Sequence, residues 1–589
     1  MTWDDRLPHS DFPARKVFLA WLAVCAILTL SALSRILVGQ FPDPDDVLRL
    51  VQVRDLVNGQ GWFDPVQYRI DPLGGTPMHW SRLVDLPLYL VIAGLTPLIG
   101  QGAAESVAII LLPLLTFGIA AAAMARLAWR LLGTNAAIFT VLACGFLPAL
   151  LFQFQPQRID HHGWQIASVA IALWATGWRS ATGGGAVAGL AMAFGFSVSL
   201  EVLPMAAAFA GILFLRWWRD PANRHWLASY MVALSLGLSI FYATTRGLSP
   251  IQYCDAIGPA HLGFFAVAAT GTLVVSRSKP LGQLALLMSF GVVGALALGS
   301  FALASPSCLA TPFASLDSVV DRLWYRLVLE GQPLFAQKAA TFIPAVIQLV
   351  AAVAATFVLR RQAEEWKRDW WGDYLLLLLA SIGLSLLVAR SLAFASIIAS
   401  LPLGWLAATL LEKLRNSRAP QARFGVAVAF ILLLAPMTPV TLGARIAQTN
   451  SATERAQPAV SSGKCLIRDE ASRLNRLPAG TIFGPLDLGP TILLQSHHSV
   501  VATGHHRAET AMADVITAFT SNPVQARALV AKHHADYMVL CANLSEANVY
   551  AHEAPQGLMA HLQAGQFPAW LEPVDLGGSN DFLVFRVKD

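Results

Sequence analysis

Thirteen apolar runs, each near the length of a membrane crossing, fill most of the first 442 residues: 17–38, 104–125, 134–152, 164–178, 184–200, 203–215, 226–245, 260–276, 281–304, 341–359, 371–389, 391–411 and 424–442. A bilayer core about 30 Å thick is crossed by ~20 apolar residues of helix. In lipid, a chain of this kind satisfies its backbone hydrogen bonds only as helices or a closed barrel. The expected fold is therefore a polytopic α-helical membrane protein. The chain is 55% hydrophobic and only 13% charged, with mean hydropathy +0.55, whereas soluble domains carry roughly 25% charged residues. A net charge of +5, held in short Lys/Arg clusters, forms no basic stripe for nucleic acid. The first run is long enough to be a span and not a cleavable signal. A further run at 83–100 is short and contains Pro87 and Pro97, so it is expected to be interfacial or re-entrant.

Cytoplasmic loops are enriched in Lys and Arg. Arg126 with Arg130, Arg179, the Arg216–Arg219–Arg224 group, Arg277 with Lys279, the group from Arg360 to Arg368, and the group from Lys413 to Arg423 fall in alternate loops, on the side of Arg15 and Lys16. Parity then places loops 39–103, 153–163, 246–259 and 305–340 outside, together with residues 443–589. The chain is expected to divide into a membrane domain, 1–442, and a mixed α/β extracytoplasmic domain, 443–589, in which Gly and Pro turns separate strand-like runs such as Tyr537-Met538-Val539-Leu540. The six cysteines form no CxxC pair; Cys254 with Cys308 and Cys465 with Cys541 can be bridged if that side is oxidising.

The outer loops carry the chemistry. Asp43, Asp45 and Asp46 crowd the start of the first, and like charges so close need compensation. A hard divalent cation supplies it; a helix N-cap, with Asp before Val47–Val57, is the other reading. The second loop reads Gln157-Arg158-Ile159-Asp160-His161-His162, where Asp160 and His162 complete the same cation site or mark an ordinary surface loop. Glu330, in Leu329-Glu330-Gly331-Gln332-Pro333, reaches a metal or an acceptor or is an exposed loop acid. Arg390, at the outer end of the twelfth span, pairs with a lipid-linked phosphate or snorkels to the interface. Trp62, His79, Trp80 and Arg82 suit a sugar subsite or interfacial anchoring. The outer domain is rich in histidine, and Gly504-His505-His506-Arg507 is the stretch expected to face the site, with metal or donor phosphate as its ligand; His497, His498, His533 and His534 read equally as turn residues.

In order, these features resemble the catalytic subunit of oligosaccharyltransferase and its GT-C relatives, which have thirteen spans and an outer C-terminal domain. Asp43-Pro44 followed by Arg49 is similar to the family's first acidic motif, Asp160-His161-His162 to its second, and Glu330-Gly331-Gln332-Pro333 to its Ser-Glu-His-Gln-Pro stretch with Gly for His. The resemblance implies that Asp43, Asp45, Asp160 and His162 hold Mg²⁺ or Mn²⁺. It also implies that Glu330 helps at the metal and acceptor and that Arg390 grips the leaving phosphate. From the residues themselves, Asp43, Asp46 and Glu330 are the expected catalytic acids, and Arg49, Arg158, His79, Trp80, Arg82, His505, His506 and Arg507 are expected, with Arg390, to contact donor or acceptor. The family's Trp-Trp-Asp-x-Gly motif has only Pro485-Leu486-Asp487-Leu488-Gly489 as its counterpart, without either tryptophan. Transfer to protein sequons is then in question, and a lipid, glycan or other protein hydroxyl becomes an expected acceptor.

The expected activity is inverting transfer of a sugar or glycan from a polyprenyl-phosphate or -pyrophosphate donor in the inner (plasma) membrane, on its non-cytoplasmic face, with a divalent cation as cofactor. A flippase or transporter of a polar lipid is the rival class. Such carriers bury ionisable groups within their spans, whereas here Arg35, Glu201 and Asp373 are the few near spans, each close to an end.

Overall fold

The computed structural model describes residues 11–310, 313, 316–434, 465 and 467–588. Helix α1 (Ala14–Val38) leads into a shorter helix, α2 (Pro44–Val57), a two-stranded ribbon of β1 (Val66–Gln67) and β2 (Thr76–Pro77), and the hairpin of α3 (Arg82–Ile99) and α4 (Gln101–Leu132). The bundle continues through α5 (Thr134–Cys144), α6 (Pro148–Phe154), α7 (His162–Ala175), α8 (Ala181–Val198), α9 (Leu203–Arg219), α10 (Arg224–Arg246), α11 (Pro259–Arg277) and α12 (Gln283–Ala304). After the short helix α13 (Ser318–Leu323) come α14 (Ala339–Gln362), α15 (Glu365–Leu387), α16 (Leu392–Asn416) and α17 (Pro420–Leu434). Eleven described helices are long and apolar enough to cross a membrane, or twelve if α5 and α6, bent by 72°, are one broken span. The protein is a multi-pass membrane protein.

The expected run at 134–152 is that bent pair, and the run at 424–442 lies partly outside the described residues. The run at 83–100 forms one continuous helix through both prolines and qualifies as a crossing by length and composition. It packs antiparallel on α4, whose 32 residues make about 48 Å of helix. The first turns of α4 stand beside α2, because Arg54 on α2 pairs with Glu105 on α4 at 2.7 Å.

Close helix packing in lipid depends on small residues, and α8 supplies them. A Cβ at Gly189 would stand 2.2 Å from the Tyr230 carbonyl and one at Gly185 2.4 Å from that of Trp226, so neither position of α8 has room for a side chain against α10.

Residues 467–588 carry a five-stranded sheet, ordered β4 (Ser499–Val500), β3 (Thr481–Phe483), β5 (Tyr537–Cys541), β7 (Phe582–Val587), β6 (Leu571–Pro573). The β4–β3–β5 half is parallel and the β5–β7–β6 half antiparallel. The first loop docks on its edge: Ile70 bridges Val500, and Arg69 donates to the carbonyls of Leu493, Ser496 and His498. Val47, Leu50 and Val53 of α2 share one buried core with Ile482, Leu493 and Val500. Two disulfides form, Cys254–Cys308 and Cys465–Cys541, while Cys25 and Cys144 are free and buried.

Candidate active site

Asp43 begins the site by capping α2. Its Oδ1 accepts the Asp45 N–H at 2.9 Å, and Pro44 at the first helical position removes a donor that would have had no partner. The cap does not exhaust the carboxylate, since its Oδ2 lies 3.0 Å from the Arg158 guanidinium. Asp46, in the first turn of the helix and fully buried, accepts the Ile159 and Asp160 backbone N–H groups on Oδ1 and Arg158 on Oδ2 at 3.0 Å. The first and second loops therefore meet at one end of the bundle, the end that bears the sheet domain. Whether α3 crosses or not, Asp43 and Asp160 share a face.

Asp160 stands just before α7. Its Oδ1 accepts from Arg49 at 3.1 Å and contacts His161 Nδ1 at 2.5 Å. Its Oδ2 is buried without a hydrogen-bond partner, with His162 Nε2 at 3.5 Å. Glu201, at the turn between α8 and α9, lies 3.7 Å from His162 Nδ1 and accepts Arg390 Nη1 at 2.6 Å. Glu330 is 3.7 Å from the same nitrogen of Arg390. Its loop is pinned there, because the Ala389 N–H donates to the Gln332 carbonyl at 2.8 Å.

Six carboxylates (Asp43, Asp45, Asp46, Asp160, Glu201 and Glu330) thus face three guanidiniums (Arg49, Arg158 and Arg390). Burial, then the negative charges of Asp43, Asp160 and Glu330, push Asp45 well above the usual carboxylate range. Burial pushes Asp46 up to about 7 against the pull of Arg158. For Asp160 burial works upward too, but the His161 ring, His162 and Arg49 together hold it well below that range. Surplus negative charge, an unpartnered buried oxygen, and imidazoles within 4.8 Å of it suit a divalent cation.

Several expected ligand contacts have other partners. Arg49 is fully buried, bonded to Asp85 at 2.9 Å and to Asp160, with its guanidinium 4.4 Å from the Trp80 ring centroid. Arg82 is 2% exposed and bonds Asp85 and the Trp62 and Asp64 carbonyls. Asp46, expected at the reacting atoms, instead holds the second loop in place. All three suit positioning. Asp85 carried no motif, although a lone acid at the head of an apolar run was its signal. Glu201 was visible only as an acid at a tight turn; its place beside Arg390 and His162 is a property of the tertiary fold.

His79, His505, His506 and Arg507 gather in a second cluster, with Arg49 and Trp80 lying between it and Asp160. His79 Nδ1 is 2.9 Å from His505 Nε2, while Asp255 receives Arg507 on both oxygens and His506 Nε2 at 2.7 Å. Trp80 and His505 rings meet edge to face at 5.7 Å. Burial, then the neighbouring His505 and His506 rings, holds His79 well below the usual imidazole range. His497, His498 and His533 bond within the sheet domain, to Leu477, Leu474 and Asp514. Burial, and then the Asp43 charge, raise the Asp487 carboxyl.

No protein-family model matches the sequence, and no curated protein matches it. The fold does match solved structures. Oligosaccharyltransferase AglB from Archaeoglobus fulgidus, in complex with an inhibitory peptide and a dolichol-phosphate, superposes with TM-score 0.66 at 15% identity, covering 96% of this chain and 73% of that one. Its apo form gives 0.64 at 14% identity over 96% and 74%. Its complex with Zn and sulfate gives 0.59 at 12% identity over 97% and 73%. From α1 to the C-terminal sheet, this chain shares the fold of the archaeal oligosaccharyltransferase structures.

Proposed function

We propose that this protein is an inverting glycosyltransferase that moves a sugar or glycan from a polyprenyl-phosphate or -pyrophosphate donor to an acceptor on the non-cytoplasmic side of the plasma membrane, with its N-terminus cytoplasmic. The observation that carries this reading is the meeting of Asp43, Asp160, Glu201, Glu330 and Arg390 at one end of the bundle. Acids and a guanidinium from loops hundreds of residues apart converge beneath a soluble domain. That is where a membrane-anchored phosphate would present itself. The likeness to a protein solved with dolichol-phosphate supports the donor class.

Asp43, Asp45, Asp160 and His162 are the residues that would hold Mg²⁺ or Mn²⁺; a cation so held offsets the charge that builds on the departing phosphate. Arg390 presents a guanidinium fork to that phosphate, and Glu201 fixes its direction. His161 holds Asp160 Oδ1 and leaves Oδ2 free to bind. When the acceptor is a hydroxyl, Asp43 or Asp45 takes its proton. Glu330 stands where an acceptor would meet Arg390. With Asp487 in a loop lacking both tryptophans, the acceptor is a hydroxyl of a lipid, glycan or protein, or else a protein held by contacts other than the sequon motif.

Liposomes holding the purified protein and a labelled polyprenyl-linked sugar provide the test. Covalent, divalent-dependent transfer supports the proposal. Redistribution of the intact lipid between leaflets without chemistry would make the protein a flippase.

A further inference from the structure

The cluster around His79 is built from three separate parts of the chain. His79 follows β2 in the first loop, Asp255 lies between α10 and α11, and His506 belongs to the sheet domain. One ligand atom from each lies within 4.8 Å of the others, and all three side chains are half-buried. We propose that His79, Asp255 and His506 form a second metal site, selective for a transition metal such as Zn²⁺, which clamps the C-terminal domain onto the first and third outer loops.

Donor chemistry separates this site from the one at Asp160. Two imidazoles and one carboxylate are a zinc-type set, whereas the first site sets three carboxylates, Asp43, Asp45 and Asp160, beside the His162 imidazole, an oxygen-dominated set that suits a harder ion. Two of the ligands, Asp255 and His79, also have the outer partner that metal ligands generally need. Arg507 bonds both oxygens of Asp255 at 2.7 and 2.8 Å and is itself stacked 3.8 Å over Tyr253. His505 occupies Nδ1 of His79, which reserves the other ring nitrogen for a metal. The His505 ring is 3% exposed and is held in the wall of the site by burial and by its contact with His79. The Cys254–Cys308 disulfide anchors the neighbour of Asp255, so the carboxylate is carried on a braced loop. Asp255 and Arg507 cancel in charge, and the Arg246 guanidinium lies close by, on the His79 carbonyl at 2.6 Å. Affinity therefore rests on imidazole coordination, which again favours zinc over magnesium.

The test uses the full chain purified in detergent, in the Asp160→Asn background so that the other site loses a ligand. After equilibration with micromolar Zn²⁺ and gel filtration, metal analysis should find about one zinc per chain, as expected for a three-ligand site. Adding His79→Gln and His506→Gln should remove it. Equal zinc content with and without these two substitutions, or no zinc in the folded Asp160→Asn protein, would overturn the proposal. Should the triple variant fail to fold, the unaltered chain decides. Zn²⁺ should shield His79 and His506 from carbethoxylation by diethyl pyrocarbonate, mapped by mass spectrometry, and modification at the unshielded rate would refute the site.

Discussion

Asp46 Oδ1 accepts the backbone N–H of Asp160 at 2.9 Å, which fastens the first turn of α2 to the residue standing before α7. The same carboxylate takes the Ile159 N–H and the Arg158 side chain, so a single buried group satisfies three donors that water cannot reach. Breaking a buried ion pair from one side typically costs about 3–5 kcal/mol, because the other charge is stranded. Asp46→Ala is therefore expected to lower stability by about that amount. Asp46→Asn should cost less, since its oxygen can still serve both backbone N–H groups. Thermal unfolding in detergent checks this; equal midpoints for the two variants would contradict it.

Asp160 has a different duty. Its unpartnered Oδ2 is the one buried carboxylate oxygen of the loop left for a ligand. Asp160→Asn keeps the shape and the His161 contact but removes the charge, so sugar transfer should fall by about 10³-fold or more, while the protein still folds, with some stability lost because Arg49 keeps only Asp85 as an ion-pair partner. A labelled-donor assay on reconstituted protein gives the rate. Activity within a few-fold of wild type would remove Asp160 from the chemistry.

Much of this site is legible before any fold is known. Asp43, Asp160, His162 and Glu330 stand at loop positions that charge parity puts on one side, and Arg390 marks the outer end of a span. What stays hidden is how residues share their bonds. Arg49 follows Asp43 closely and invites a ligand role, yet it is consumed by Asp85 and Asp160. Asp255 lies in a loop without a motif, and its partners His79 and His506 belong to other segments. The fold behaved likewise. Apolar length marked the spans, but the bend between α5 and α6 and the joining of Ile70 to the edge of the sheet depend on contacts that no local pattern encodes.

Arg390 and Glu201 separate donor binding from chemistry. Arg390 is bonded to Glu201 at 2.6 Å and reaches Glu330 at 3.7 Å, so one guanidinium holds two acids while facing the site. Arg390→Gln should raise KM for the polyprenyl-linked donor by about 10- to 100-fold, the loss of a charge-assisted pair. Arg390→Lys should restore part of it, because the charge returns without the fork. Glu201→Gln should change KM less than Arg390→Gln does. Steady-state kinetics over donor concentration gives the split, and an unchanged KM in Arg390→Gln would place the phosphate elsewhere.

The sheet domain carries a pH dependence of its own. Glu546 accepts the Leu486 and Asp487 N–H groups at 2.7 and 2.8 Å and the Tyr550 hydroxyl at 2.6 Å, contacts that favour its charged form. Burial first, and the Asp487 charge second, outweigh them and raise its pKa from the ordinary 4.5 to about 8. An acid whose pKa is higher folded than unfolded binds its proton more tightly in the native state. Its contribution to stability is complete below about 4.5 and is lost as pH rises through about 8. Glu546→Gln, neutral at every pH, should remove that component, so the stability difference between wild type and variant should drift against wild type from pH 5 to about 8.5. Denaturation of both proteins across that range tests the sign. A difference that is flat, or that moves in favour of wild type at alkaline pH, would mean that the three donors prevail and that Glu546 is ionised in the folded protein.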